Sequence, residues 1–312
     1  MSINFAVNYS KELAELVRTG QVNIDVFKCP AWPELVADAR NICPVYVHFP
    51  LIAGGGRGVP INSETKEPVN WSMVESLMTQ TDTRFVNLHL SQKSHEMPDI
   101  PVDTTDPIHI EMLTECMITD VQAVIDRFGR ECVIVENVPG RKDDTLRPFI
   151  LPDVIRRVVE TTGCGFLFDA SHARISAELL GMDVCEYIDR LPVEHTREIH
   201  ITGLQIVDES WSLVLREAGY NEEKINNFVG TKLDHLPLID EDWTFCEWLI
   251  QQLRAGYYGD PWIVTLEYGG VSRRWELMTD KTILREQVPR LYALVKNDRT
   301  YAVKKNQTLK VL

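Results

Sequence analysis

Six short apolar runs each carry, at the same point, a side chain that can bind a metal. They are His48 in "VYVH", His89 in "VNLH", Glu136 in "VIVE", Asp169 in "FLFD", His200 in "REIH" and Glu267 in "VTLE". His172 follows Asp169 by three residues in "DASH", and Asp234 and His235 adjoin in "TKLDHLPL". Imidazole and carboxylate together suit iron, zinc or manganese. A single histidine on an apolar strand is more often a hydrogen-bonded core residue, and a single strand-end acid more often a cap or ion-pair partner. Six in register are not independent accidents. Burying Glu136, Asp169 and Glu267 together is costly unless cations hold them, and the pattern places no Lys or Arg at an equivalent strand position. The expected ligand set is therefore His48, His89, Glu136, Asp169, His172, His200, His235 and Glu267. One ion commonly takes about three to six ligands, so this set predicts two or three ions bridged by carboxylate. His95, His109 and His195 fall in loops or flanks and read as solvated.

Such residues converge only if the strands that carry them are parallel and end at one mouth. Runs rich in β-branched and aromatic residues at 3–9, 22–28, 44–51, 85–91, 132–138, 165–171, 197–203 and 262–268 predict eight strands. Helical periods at 10–19, 33–42, 70–80, 110–128, 152–162, 175–190, 241–255 and 280–296 alternate with them. Eight βα units close a (β/α)8 TIM barrel, whose strands all deliver their carboxyl ends to one face. The rival, an open doubly wound sheet, lacks support: "NYSKEL" after the first strand has no glycine, and "GGGRG" at 54–58 opens no helix. The expectation is one domain over 1–312, with insertions at 92–108 and 204–239 beside the strand ends, where lids usually sit.

The bulk composition excludes several classes. A net charge of −14 disfavours nucleic-acid binding, which needs clustered Lys and Arg. Seven cysteines without a CxxC pair suit reduced thiols and predict a cytoplasmic location. The N-terminus lacks the features of a secretory signal, and no apolar run is long enough for a membrane span.

In order along the chain, "YVHFPLIAGGG", "VNLHLS", "VIVENVPG", "FLFDASH", "REIHITG", "LDHLPLIDEDW" and "VTLEYGG" resemble the landmarks of the multinuclear non-heme iron-dependent oxidative enzymes. These are xylose-isomerase-like TIM barrels. The resemblance implies two or three irons, dioxygen chemistry on a peptide or small molecule, a possible partner protein, and Glu136 or Glu267 as a bridging catalytic carboxylate. The chain departs from the pattern at three places. His172 stands where the family tends to have asparagine, Leu204 where a second histidine usually follows the strand-seven one, and Asp234-His235 replaces Asp-x-His. "DASH" is instead similar to the zinc-dependent AP endonucleases and the sugar isomerases and epimerases of the same superfamily. The alternatives are therefore an isomerase or epimerase with a single divalent ion, an endonuclease-like zinc hydrolase, and a non-enzymatic metal-stabilised binding barrel.

Overall fold

The structure is a computed structural model that describes residues 3–296 apart from 143 and 210. The two ends of the expected 1–312 span therefore lie outside the described residues.

Eight parallel strands form the wall: β1 (Asn4–Asn8), β2 (Val26–Pro30), β3 (Val45–His48), β4 (Val86–Leu90), β5 (Val133–Glu136), β6 (Gly165–Asp169), β7 (Thr196–Ile201) and β8 (Ile263–Leu266). They neighbour one another in the order 3-2-1-8-7-6-5-4. The ring closes through a continuation of β3, since Leu51–Ala53 pairs in parallel with β4 and sets Ile52 against His89. The Asn87 side chain braces the break between these pieces: its Oδ1 accepts from Phe49 N at 2.7 Å and its Nδ2 donates to Phe49 O at 3.0 Å. The (β/α)8 barrel expected from the alternation of runs is what the chain forms.

Alternation along each strand divides two environments. Phe27, Cys29, Val45, Val47, Val133, Val135, Phe166 and Phe168 point outward into the main core beneath the helices. Their neighbours Val26, Tyr46, Ile134 and Leu167 fill the barrel interior in two smaller clusters that meet at Trp262. The apolar interior gives way to polar groups towards the carboxyl ends of the strands.

Local chemistry sets the helix limits. Ser10 and Asn70 cap Lys11–Arg18 and Trp71–Gln80 by accepting from Leu13 N and Met73 N. The helix expected over 175–190 starts earlier, at Ala170 directly after β6, and divides at Gly181 (φ +67°) into Ala170–Leu180 and Val184–Arg190. The turn after Leu180 needs a left-handed residue, which ends the first helix.

The segment between β7 and the helix Asp240–Arg254 has its own structure. An antiparallel hairpin, Gly203–Ile206 with Lys232–Leu236, encloses the helices Trp211–Glu217 and Glu222–Phe228 over a small core containing Val207, Leu215, Ile225 and Leu233. At its root a Cβ on Gly203 would lie 2.0 Å from Pro237 O, so only glycine fits. No described helix is long and apolar enough to cross a membrane.

The "GGGRG" loop is held by one buried side chain. Asp120 accepts from the backbone N–H groups of Gly54, Gly55, Gly56 and Gly58 at 2.8 to 3.1 Å. Asp120→Ala strands the shielded donors, while those of exposed Gly56 and Gly58 can turn to water. Chemical denaturation should show a stability loss of about 2 kcal/mol. An unchanged unfolding midpoint would contradict this role for Asp120.

Candidate metal centre

All eight predicted residues meet at the mouth. His48 Nε2 lies 3.2 Å from His89 Nε2, and Glu136 Oε2 lies 3.4 Å and 3.2 Å from the two. On the other side of Glu136, its Oε1 is 3.5 Å from His172 Nδ1, which is 3.4 Å from Asp169 Oδ2. His200 Nδ1 stands 3.1 Å from Glu267 Oε1, and His235 Nε2 is the outlier at 3.7 Å from Glu267 Oε2. Three sets of ligand atoms are close enough to share an ion: His48 with Glu136 and His200, Glu136 with Asp169 and His172, and Asp169 with His200 and Glu267. Glu136, Asp169 and His200 each belong to two of them.

Supporting contacts orient the rings, as ligating histidines require. His89 Nδ1 lies 3.0 Å from the Leu51 carbonyl, which turns Nε2 to Glu136. Glu198 Oε1 accepts from His200 Nε2 at 2.8 Å, which turns Nδ1 to Glu267. Asn137 fixes the end of β6, donating to Asp169 O at 2.8 Å and accepting from Asp169 N at 3.0 Å. Asp169 divides its work: Oδ1 accepts from Ser171 N and His172 N at the helix start, and Oδ2 faces the mouth. His172 has both nitrogens engaged, Nδ1 on the Asn137 carbonyl at 2.9 Å and Nε2 on Asp234 Oδ2 at 3.1 Å. His235 packs on Trp275, with ring centroids 4.8 Å apart, and holds the left-handed backbone (φ +60°) that non-glycine residues adopt rarely and mainly where surrounding structure enforces it.

Electrostatics divides these groups. Burial pushes the Asp169 carboxyl above its usual range, partly offset by His172. Burial keeps His48 and His200 well below the ordinary imidazole value and lowers His235 to about 4. For His172 burial acts downward, but the charges of Asp169 and Asp234 win and raise it to about 9. For Asp234 burial acts upward, and the hydrogen bond from His172 overcomes it, holding the carboxyl well below its usual range.

One expectation is overturned. The mouth does contain a protein cation: Lys28 of β2, 6% exposed, forms an ion pair with Glu267 Oε1. The second strand runs Val26–Pro30 rather than 22–28, so Lys28 is an inward-facing residue of the strand and not its last. Glu198 also escaped the sequence pattern, although it shares a strand face with His200 two residues on and that spacing was a usable signal. His95, His109 and His195 stand apart from the cluster, His95 and His195 in short 3-10 turns and His109 in a helix.

Lys28 does not remove the reason for a metal. Glu136 Oε2, Asp169 Oδ2, His48 Nδ1 and His200 Nδ1 are buried with no hydrogen-bond partner among the described residues. Buried polar atoms of that kind are rare and costly. Two carboxylate oxygens among imidazoles are a donor set that fits a transition-metal ion. An open cavity of ≈ 330 Å³, lined by His48, His89, Glu136, His172, His235 and Glu267, leads to them. A larger cavity of ≈ 510 Å³ lies by Pro44 and Val45 at the amino end of β3, away from the ligand cluster, and is not the candidate site.

Fold and mouth together define a (β/α)8 barrel with a cluster of potential metal ligands at the carboxyl ends of its strands. The chain is similar to a xylose isomerase domain containing protein from Salmonella typhimurium (TM-score 0.52, 14% identity, covering 95% of this chain and 99% of that one). It is also similar to 3-keto-D-glucoside 4-epimerase YcjR from E. coli (TM-score 0.50, 12% identity, covering 94% and 99%). Within this class the chain belongs to the family described as RiPP precursor modification enzyme MbnB/TglH/ChrH, whose model matches residues 34–218. Curated relatives include UPF0276 proteins of Paraburkholderia phytofirmans, 26% identical over 54% of this chain and 52% of that protein, and of Rhizobium meliloti, 27% identical over 53% and 50%. The match thus spans about half the length of those relatives. The resemblance carried by the motifs holds at the level of family and superfamily. Lys28, His235 and Glu267 lie outside the matched residues.

Proposed function

We propose that this chain is an iron-dependent oxidative enzyme acting on a peptide, with two or three ions held by His48, His89, Glu136, Asp169, His172, His200, His235 and Glu267. The observation that carries the reading is that four residues of the cluster, Glu136, Asp169, His48 and His200, each keep a buried polar atom (Oε2, Oδ2, Nδ1 and Nδ1) with no hydrogen-bond partner among the described residues. Membership of a family described as modifying RiPP precursors supports a peptide substrate. Bound iron would supply dioxygen activation and oxidation of the substrate.

The chain's own residues do the rest. Glu136 presents one oxygen to His48 and His89 and the other towards His172, a geometry suited to bridging. Glu198 and the Leu51 carbonyl fix two of the imidazoles before anything binds. The cavity admits a side chain past Trp275 and His235 to Glu136 and Glu267. Burial of Asp169 and His200 beneath that opening keeps water from the deepest ligands.

Protein purified without chelator should carry at least two transition-metal ions per chain by elemental analysis. It should also consume dioxygen when given iron(II) and a cysteine-containing precursor peptide. Less than one tightly bound ion per chain would overturn the reading. One ion with ketose turnover and no dioxygen uptake would move it to the isomerases.

A further inference from the structure

We infer that Lys28 is a built-in cation that takes the place of one metal ion, limiting the centre to two. The inference rests on the metal reading above and concerns only the third ligand set.

Of the three sets, only that of Asp169, His200 and Glu267 contains a residue in an ion pair with a lysine or arginine among the described residues. Glu267 Oε1 faces His200 Nδ1 at 3.1 Å and also receives the Lys28 ammonium. The two other mouth carboxylates differ from it, because Glu136 Oε2 and Asp169 Oδ2 have no hydrogen-bond partner among the described residues, whereas no oxygen of Glu267 is so placed. The mouth therefore has two acids left for ions and one neutralised by protein.

An ion held by Glu267 Oε1 and His200 Nδ1 would lie close to the Lys28 Nζ. A divalent ion and an ammonium at that separation repel strongly in a buried site. Lys28 cannot withdraw, since its side chain is 7% exposed and β2 is locked on both edges, with Asn8 and Tyr46 opposite Lys28. His200 remains available to the first set through His48 and Glu136. With Glu267 held by Lys28, the Glu136-centred sets are left to take ions.

The test counts ions rather than turnover. Wild-type protein loaded anaerobically with iron(II) and desalted should saturate at two ions per chain. Lys28→Met, which keeps the bulk of the stem and removes the charge, should saturate at three, with the added ion located beside Glu267 by anomalous scattering. Lys28→Arg keeps the charge and should stay at two. If Lys28 were only a structural ion-pair partner, Lys28→Met would melt earlier with an unchanged ion count, and excess iron(II) would not restore it. The inference predicts instead that iron(II) raises the variant's melting temperature more than the wild type's. Three ions in the wild type, or equal counts in the wild type and Lys28→Met, would overturn the inference and leave the metal reading intact. Less than one ion in the wild type would overturn both.

Discussion

Glu136→Gln should cost the protein its metal and leave the metal-free chain at least as stable as before. Glu136 is 1% exposed, and its oxygens lie 3.2 to 3.5 Å from His48, His89 and His172. It belongs to two of the three ligand sets, and no other mouth carboxylate faces so many rings. Loss of residues that merely support ligands already weakens metal affinity about 10- to 100-fold, and loss of this shared ligand should exceed that range. Stability should move the other way. In the metal-free chain Glu136 Oε2 is a buried carboxylate oxygen with no hydrogen-bond partner among the described residues, close to the carboxylate of Asp169. A neutral amide of the same shape relieves repulsion and desolvation on the order of 1 kcal/mol or more. Equilibrium dialysis with iron(II) and melting curves of chelator-treated protein measure the two effects. Retained ion binding, or a large drop in metal-free stability, would show that Glu136 is a packing residue and not a ligand.

That opposition of stability and binding also explains what could be read from the sequence. Each wall strand carries an apolar outward series such as Val133 and Val135, and its interior series changes from Ile134 to Glu136 at the carboxyl end. A packed barrel has no packing reason to make that change six times in register. The barrel and the cluster of His, Asp and Glu at its mouth were therefore legible from one and the same pattern.

What escaped were residues whose meaning depends on register. Lys28 reads as a strand's polar last residue if the strand begins at residue 22, and as a buried inward group once pairing with β1 and β3 places the strand at Val26–Pro30. Side-chain direction alternates at every residue, so a small error in a strand's limits changes the environment assigned to its polar members. The hairpin over 203–236 was invisible for a different reason. Its strands pair only with each other, across the helices Trp211–Glu217 and Glu222–Phe228, and local periodicity carries no sign of such long-range pairing. The network beneath the site was hidden similarly: Tyr46 meets Thr265 at 2.8 Å across 219 residues, and Glu198 meets His200 within it.

Asp169 allows the binding and structural roles of one side chain to be separated. Its Oδ1 accepts from Ser171 N at 2.8 Å and His172 N at 2.7 Å and so starts the helix Ala170–Leu180, while Oδ2 faces the mouth with no hydrogen-bond partner among the described residues. Asparagine retains an oxygen for the cap but removes the charge. Asp169→Asn should therefore lose metal with little loss of fold stability, since asparagine caps about as well as aspartate. Asp169→Ala should lose metal and, in addition, about 1 to 2 kcal/mol from the missing cap. His172→Asn should be milder than either, because both His172 nitrogens already serve the Asn137 carbonyl and Asp234, and the residues around Glu136 and His48 stay in place. Its ion count should remain at one or more per chain, with weaker affinity. Elemental analysis and melting temperature on the three variants give six readings that the two roles order differently. Unchanged metal stoichiometry in Asp169→Ala would remove Asp169 from the ligand set and leave it as a cap alone.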